Sequence, residues 1–161
     1  MSWREQLNGD SLAWLLEPDS PGVRYLAMRD LLDLPSDDAA LRAAGQAAHA
    51  RGPIATILAR MDPAGYWAAP GPGYNPKYFS TVWSAIALAQ LGAACAADER
   101  IARACDYLAD HALTPGGQFT SSGALSGTAD CLQGNLCWAL AAGVRLRRQD
   151  LVRFWRQAPA E

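Results

Sequence analysis

A small set of side chains in the second half of the chain has the types and spacing needed for ligand binding or acid–base chemistry. On a predicted helix from about Ala129 to Ala142, one face at i, i+4 and i+7 carries Cys131, Asn135 and Trp138, with Asp130 beside it. A second group lies before and within an earlier predicted helix and comprises Tyr74, Lys77, Tyr78 and Trp83. Aromatic rings around an apolar cavity can stabilise a cation or hold an apolar ligand. The one acid–base pair that these residues offer is Asp130 with Tyr78 or Tyr74.

Each of these residues also has an ordinary structural explanation. Asp130 suits the first turn of a helix, where an acidic group interacts favourably with the helix dipole. Lys77 is typical of a solvated first-turn residue, and the two tyrosines can pin a loop. Asn135 needs a hydrogen-bond partner if it is buried, and the two tryptophans suit a helical core.

The composition excludes several other kinds of site. The chain has two histidines, His49 and His111, so a histidine-rich metal site is excluded and we expect no metal or cofactor. The net charge of −2 offers no basic excess for binding nucleic acid. Four cysteines lie in apolar, helix-like segments without C-x-x-C spacing, which predicts reduced core residues at Cys95, Cys105, Cys131 and Cys137.

Length and hydrophobicity predict a soluble, cytoplasmic, all-α protein. The 161 residues are half hydrophobic, which is enough for one domain with a core. No long apolar stretch predicts a membrane span, and the polar segment 1–10 lacks the apolar region of a signal peptide. Abundant alanine with few β-branched residues favours closely packed helices.

Hydrophobic periodicity and turn residues predict a series of helices separated by two long loops, 62–76 and 114–128. The predicted helices begin at Asp10 or Ser11, at Pro21 after a Ser20 cap, at Ser36 or Asp37, after Gly52, near Lys77, at Asp98 or a neighbour, near Ala129 and at Arg147. We expect a single domain, 1–161, with N-terminal helices over 1–50, two hairpin repeats over 51–145 and a C-terminal capping helix over 146–161.

An internal repeat goes beyond composition. Residues 57–92 and 109–143 each read as a helix, a glycine-rich loop and a second apolar helix. Each loop opens with the pattern P-x-G-x-aromatic, at Pro63–Trp67 and at Pro115–Phe119, 52 residues apart. Such a repeat predicts stacked helix hairpins that cover one another's apolar faces. The glycine suits a positive φ, and the aromatic residue can fold back onto the helix ends.

These loops resemble those of the α/α-toroid superfamily of terpenoid cyclases and protein prenyltransferase β-subunits, and the chain looks like small bacterial squalene cyclase-like proteins. In squalene and hopene cyclases the loop carries the motif Q-x-x-x-G-x-W. Its last part is matched by Gly65 with Trp67 and by Gly117 with Phe119, whereas its glutamine positions hold Met61 and Leu113. The likeness covers about residues 50–145 and includes segments 71–83 and 131–140.

The resemblance implies an all-α fold of helix hairpins around a central apolar cavity. About four hairpins are fewer than a closed ring of this superfamily uses, so we expect a partial ring or an arc. The cavity is then expected among the starts of the inner helices and the loops before them. The implied substrate-binding residues are Tyr74, Lys77, Tyr78, Trp83, Cys131, Asn135 and Trp138, and the catalytic candidates are Asp130 and Tyr78.

The catalytic motifs of that superfamily do not occur in the chain. D-x-D-D and D-D-x-x-D are absent, and the prenyltransferase zinc ligands are not matched because Asp130 and Cys131 are adjacent and no histidine follows them. We therefore expect a domain that binds an apolar, isoprenoid-like small molecule, with association into a homo-oligomer as one way to complete the cavity. Two alternatives are a non-catalytic helical scaffold that binds another protein and a fragment of a longer toroid enzyme.

Overall fold

The computed structural model describes Gln6, Gly9 and residues 11–143. Within this part the chain forms helices and no β-strand, which confirms the all-α prediction there. The helices are α1 (Ser11–Leu15), α2 (Pro21–Leu26), α3 (Ala39–Ala50), α4 (Pro53–Ala59), α5 (Thr81–Gln90), α6 (Glu99–His111) and α7 (Asp130–Gly143). The predicted capping helix within 146–161 lies outside the described residues.

The chain divides into two compact units, residues 1–56 and 57–161. The sequence-based scheme of one domain in three parts is a different division and stays a prediction. In the described part of the chain, no helix is long and apolar enough to cross a membrane.

The first unit is built on the packing of α2 against α3. Helix α2 continues into a π-helical turn, Ala27–Leu31. The core of the first unit contains Met28, Leu41 and Ala44. Partly buried side chains pack against it, namely Leu16, Tyr25, Leu32 and Leu34. At Gly45 the absence of a Cβ lets the Tyr25 ring approach closely, because a Cβ there would lie 3.2 Å from the ring.

The helix starts in this unit differ in detail from the prediction. Ser20 precedes Pro21 as expected but makes no side-chain capping bond. Asp38 caps α3 by accepting from the backbone N–H of Ala40 at 2.8 Å and of Leu41 at 2.9 Å, so the predicted cap at Ser36 or Asp37 is wrong. The reason is a turn closed by Asp38 N–H on the Pro35 carbonyl, which places the two preceding residues inside the turn.

In the second unit, α5 contacts both α7 and α6. Helix α6 begins after the Asp98 cap, as predicted, and its predicted apolar face is buried throughout. Helix α5 begins at Thr81, so the predicted start near Lys77 is wrong. Tyr78 has a φ of +71° and Ser80 is extended, and neither conformation can continue a helix.

The cysteines are less uniformly buried than predicted. Cys105 is buried and Cys95 and Cys137 are partly buried, but Cys131 is exposed. On α7 the buried residues are Leu132, Leu136, Ala139 and Leu140. Cys131 is not part of this buried set.

Candidate functional site

The two P-x-G-x-aromatic segments form turns with the same backbone hydrogen bonds. In the first, Asp62 N–H donates to the Tyr66 carbonyl at 2.8 Å and Gly65 N–H donates to the Asp62 carbonyl at 2.9 Å. In the second, the matching bonds join Thr114 to Gln118 and Gly117 to Thr114, each at 2.9 Å. The glycines have φ values of +101° and +84°, which only glycine adopts without strain.

The aromatic residue that follows each turn is buried, as the sequence predicted. Trp67 and Phe119 are each 3% exposed. The Trp67 indole Nε1 donates to the Ile57 carbonyl of α4 at 2.8 Å. Each turn is therefore anchored by its own aromatic side chain in the core of the unit.

A second anchor joins each turn to the helix that follows it. Trp67 N–H donates to Thr81 Oγ1 at 3.1 Å, and Phe119 N–H donates to Gln133 Oε1 at 2.8 Å. Gln133 Nε2 also donates to the Phe119 carbonyl at 2.7 Å. The two residues of each pair are 14 positions apart in both cases. The sequence reasoning missed Thr81 and Gln133 as anchors, and this shared spacing is the signal that marks them.

Four of the predicted site residues contact one another where the first long loop meets α5. The Tyr74 and Trp83 ring centroids are 5.3 Å apart, and the Tyr78 and Trp83 centroids are 5.1 Å apart. Lys77 Nζ lies 5.6 Å from the Tyr78 centroid and 5.7 Å from the Trp83 centroid. We call Tyr74, Lys77, Tyr78 and Trp83 the aromatic cluster.

Hydrogen bonds at the base of the loop hold the aromatic cluster in place. The Gly73 carbonyl accepts from Ser80 Oγ at 2.7 Å and from Val82 N–H at 2.9 Å, which closes the loop over the start of α5. Trp83 Nε1 donates to the Tyr74 carbonyl at 2.9 Å. A Cβ on Gly73 would lie 2.7 Å from the Thr81 side chain, so this close approach requires glycine.

The outer part of the cluster is open to solvent. Tyr78 is 68% exposed, and the adjacent Phe79, which the sequence reasoning did not select, is 69% exposed. Trp83 is half-buried beneath the tyrosine rings. The cluster therefore presents aromatic surface that the described residues of its own unit do not cover.

The predicted site residues of α7 form a separate group on its exposed side. Asp130 is the first residue of the helix, as its structural explanation requires, and Cys131, Asn135 and Trp138 follow on the solvent-facing side. Trp138 is 49% exposed. Among the described residues no hydrogen bond joins Asp130 to Tyr74 or Tyr78, and their pairing as acid and base stays a prediction.

The interior cleft between α5, α6 and α7 is small. Its volume is about 10 Å³, and its lining includes Ala85, Ala104, Cys105 and Ala139. A cleft of that size holds about one water molecule and no larger ligand. Burial raises the pKa of the Cys105 thiol strongly, which keeps this sulfur protonated and unreactive.

A larger open depression of about 480 Å³ lies beside the first turn and is lined by polar side chains that include Arg60, Asp62 and Tyr66. Loss of hydration and the neighbouring Asp62 carboxylate raise the pKa of the Tyr66 hydroxyl. Within the described ranges, no group of three or more His, Cys, Asp or Glu side chains is placed to hold a metal ion.

No family model matches the chain, and neither a curated protein nor a solved structure matches it significantly.

Proposed function

We propose that the chain is an α/α-toroid-like protein that binds an apolar, isoprenoid-like small molecule, and that the aromatic cluster contacts this ligand. The observation that carries the proposal is the set of rings around Trp83, with Tyr78 largely exposed above it. Ligand sites commonly combine aromatic surface with a few polar groups on loops that a rigid scaffold positions.

The paired turns support the toroid-like arrangement. Two segments 52 residues apart share their turn hydrogen bonds, a buried aromatic residue and a side-chain anchor at the same 14-residue offset. This correspondence is what a repeat of helix hairpins requires, because each hairpin must place its loop and inner helix in the same way.

Binding without catalysis fits the surroundings of Asp130 better than a cyclase-type reaction does. An acid that protonates an alkene must be held in an apolar site that keeps it protonated. Asp130 is instead exposed at the first position of α7. We therefore assign Asp130 to the helix terminus and leave it out of the proposed ligand contacts.

The small interior cleft directs the ligand to the surface of the aromatic cluster. With room for about one water between α5, α6 and α7, an isoprenoid chain cannot enter the core of this unit. A ligand on the exposed rings keeps one side in water. A second copy of the chain is one way to cover that side, which is the association that the sequence analysis predicted.

The test is equilibrium dialysis with farnesol, a fifteen-carbon isoprenoid alcohol, against the wild-type chain and two variants. Tyr78→Ala removes an aromatic contact of about 1 kcal/mol and should weaken binding about fivefold. Leu125→Ala is the control, because Leu125 is 66% exposed, close to the 68% of Tyr78, but lies in the second long loop. Equal effects of the two substitutions, or no measurable binding by the wild-type chain, would count against the proposal.

A protein-binding scaffold is the second candidate function. It is favoured by large exposed side chains on separate elements of the second unit, because tryptophan and tyrosine are typical anchors of protein interfaces. These side chains are Tyr78, Phe79, Leu125 and Trp138. Native mass spectrometry of gently purified protein separates the two functions, since a retained apolar molecule supports ligand binding and a ligand-free chain bound to another protein supports the scaffold.

A further inference from the structure

We propose that the rings of Tyr74, Tyr78 and Trp83 form a site for a quaternary ammonium group, which Lys77 occupies when no ligand is bound. This inference rests on the proposed function, because it uses the same aromatic surface and adds a cationic group to the apolar ligand proposed there. A quaternary ammonium group combines a positive charge with an apolar coat of methyl groups, so it suits aromatic faces.

The geometry of the cluster is that of a partly closed aromatic cage. Both tyrosine rings are tilted by 56° against the indole, with centroid separations of 5.3 Å for Tyr74 and 5.1 Å for Tyr78. The Lys77 ammonium lies within 6 Å of two of the three rings, which is the range of cation–π attraction. A cation already lies at the position that a ligand's ammonium group would take.

Attraction to the aromatic rings explains the position of the Lys77 ammonium, because no carboxylate partner among the described residues does. Among the described residues Lys77 makes no ion pair with a carboxylate. Arg29 differs in this respect, since it lies over the Tyr25 ring at 5.4 Å but is also paired with Asp30 at 2.6 Å.

The hydrogen bonding of the cage favours a quaternary over a primary ammonium group. A lysine ammonium has three N–H donors that need acceptors, and ring faces offer none of ordinary strength. The Trp83 indole N–H is already used by the Tyr74 carbonyl, which fixes the orientation of the ring. A quaternary ammonium has no N–H group to satisfy, so the cage can displace Lys77 in its favour.

Hydrogen bonds of the loop position the three rings without a ligand. The two bonds that Gly73 accepts from Ser80 and Val82 close the loop below the rings. Tyr78 has a left-handed conformation with φ of +71°, and its ring and that of Tyr74 both contact Trp83. The ligand therefore meets rings that are already positioned, which lowers the entropic cost of binding.

The experiment is isothermal titration of the full chain with choline and with its neutral isostere, 3,3-dimethylbutan-1-ol, at constant ionic strength. We expect the wild-type chain to bind choline at least fivefold more tightly than the isostere. Lys77→Met removes the competing ammonium charge and keeps a side chain of similar length, and should raise choline affinity about threefold to tenfold. Arg42→Met, which removes one exposed positive charge elsewhere, should leave choline affinity unchanged within twofold.

The outcomes separate this inference from the proposed function. Equal affinity for choline and the isostere overturns the cation site and leaves the apolar-ligand proposal standing. Lower choline affinity in Lys77→Met than in the wild-type chain, or no choline binding by either of these two proteins, also overturns the cation site. Farnesol dialysis independently decides the proposed function. Trp83→Leu should abolish choline binding. If that variant does not fold by circular dichroism, Tyr78→Ala serves instead, and unchanged choline affinity in the folded variant overturns the inference.

Discussion

Removing the Gln133 side chain tests whether the second turn depends on its anchor to α7. The Gln133 side-chain amide accepts a hydrogen bond from the Phe119 N–H at 2.8 Å and donates one to the Phe119 carbonyl at 2.7 Å. Gln133→Ala deletes both bonds and leaves the backbone of α7 able to form the same helix, because alanine is a good helix former.

The expected cost follows from the number of bonds and from the burial of Phe119. A hydrogen bond contributes about 1 kcal/mol to stability, and leaving a buried group without its partner costs more. Phe119 is 3% exposed, so we expect Gln133→Ala to lower the free energy of unfolding by about 2–3 kcal/mol. Thr81→Val removes the single corresponding bond of the first turn at nearly constant volume and should cost about 1–2 kcal/mol.

Urea unfolding followed by circular dichroism measures these differences, and Gln90→Ala is the matched control. Gln90 is the last residue of α5 and is exposed, so its replacement should change the free energy of unfolding by less than about 0.5 kcal/mol. Hydrogen exchange read by mass spectrometry should locate the loss, with faster exchange in segment 114–124 of Gln133→Ala.

Two results would refute this reasoning. If Gln133→Ala and Gln90→Ala unfold at the same urea concentration, the side-chain anchor does not contribute to stability. If Gln133→Ala is destabilised but segment 114–124 exchanges at the wild-type rate, the loss arises elsewhere and the turn is held by other contacts.

The remaining predictions concern the turn glycines and the cysteines. Gly65→Ala should lower the free energy of unfolding by about 3 kcal/mol, because its Cβ would lie 2.8 Å from the Arg103 carbonyl, whereas Gly117→Ala has open space and should cost about 1 kcal/mol for its positive φ alone. Equal losses in urea unfolding would show that the close approach does not matter. A maleimide should label the exposed Cys131 in the folded protein while Cys105, whose pKa burial raises, stays unmodified until urea unfolds the chain. Peptide mass spectrometry reads both sites, and equal native labelling rates would contradict the described burial.

The sequence predicted the fold best where the signals are local. The cap of α6 at Asp98 and the buried face of that helix follow from a capping side chain and a 3.6-residue periodicity, and both are confirmed. The start of α5 was misplaced because Lys77 and Tyr78 suit a helix by residue type. The left-handed φ of Tyr78 and the bonds to Gly73 come from the closed loop, and no local pattern specifies them.

The candidate site could be predicted by residue type but not by arrangement. The loop aromatics and Trp83 were selected from the sequence, and they do contact one another. Helix α7 carries apolar residues around most of its circumference, so periodicity could not show that Trp138 and Cys131 lie on its exposed side. The anchors Thr81 and Gln133 escaped prediction because a hydroxyl and an amide in a helix give no sign of a partner 14 residues earlier.

The equal spacing of the two anchors has a consequence for how the protein can change. Segment 68–80 lies between Trp67 and its anchor Thr81, and segment 120–132 lies between Phe119 and its anchor Gln133. The two segments have the same length, and a hydrogen bond joins the residues that flank each of them. The two ends of each segment are held alike, so residues between them can differ wherever they make no close contact of the kind that Gly73 and Ser80 make in the first segment. The first segment contains three aromatic residues and the second is rich in serine, threonine and glycine, so two loops anchored in the same way present different surface chemistry.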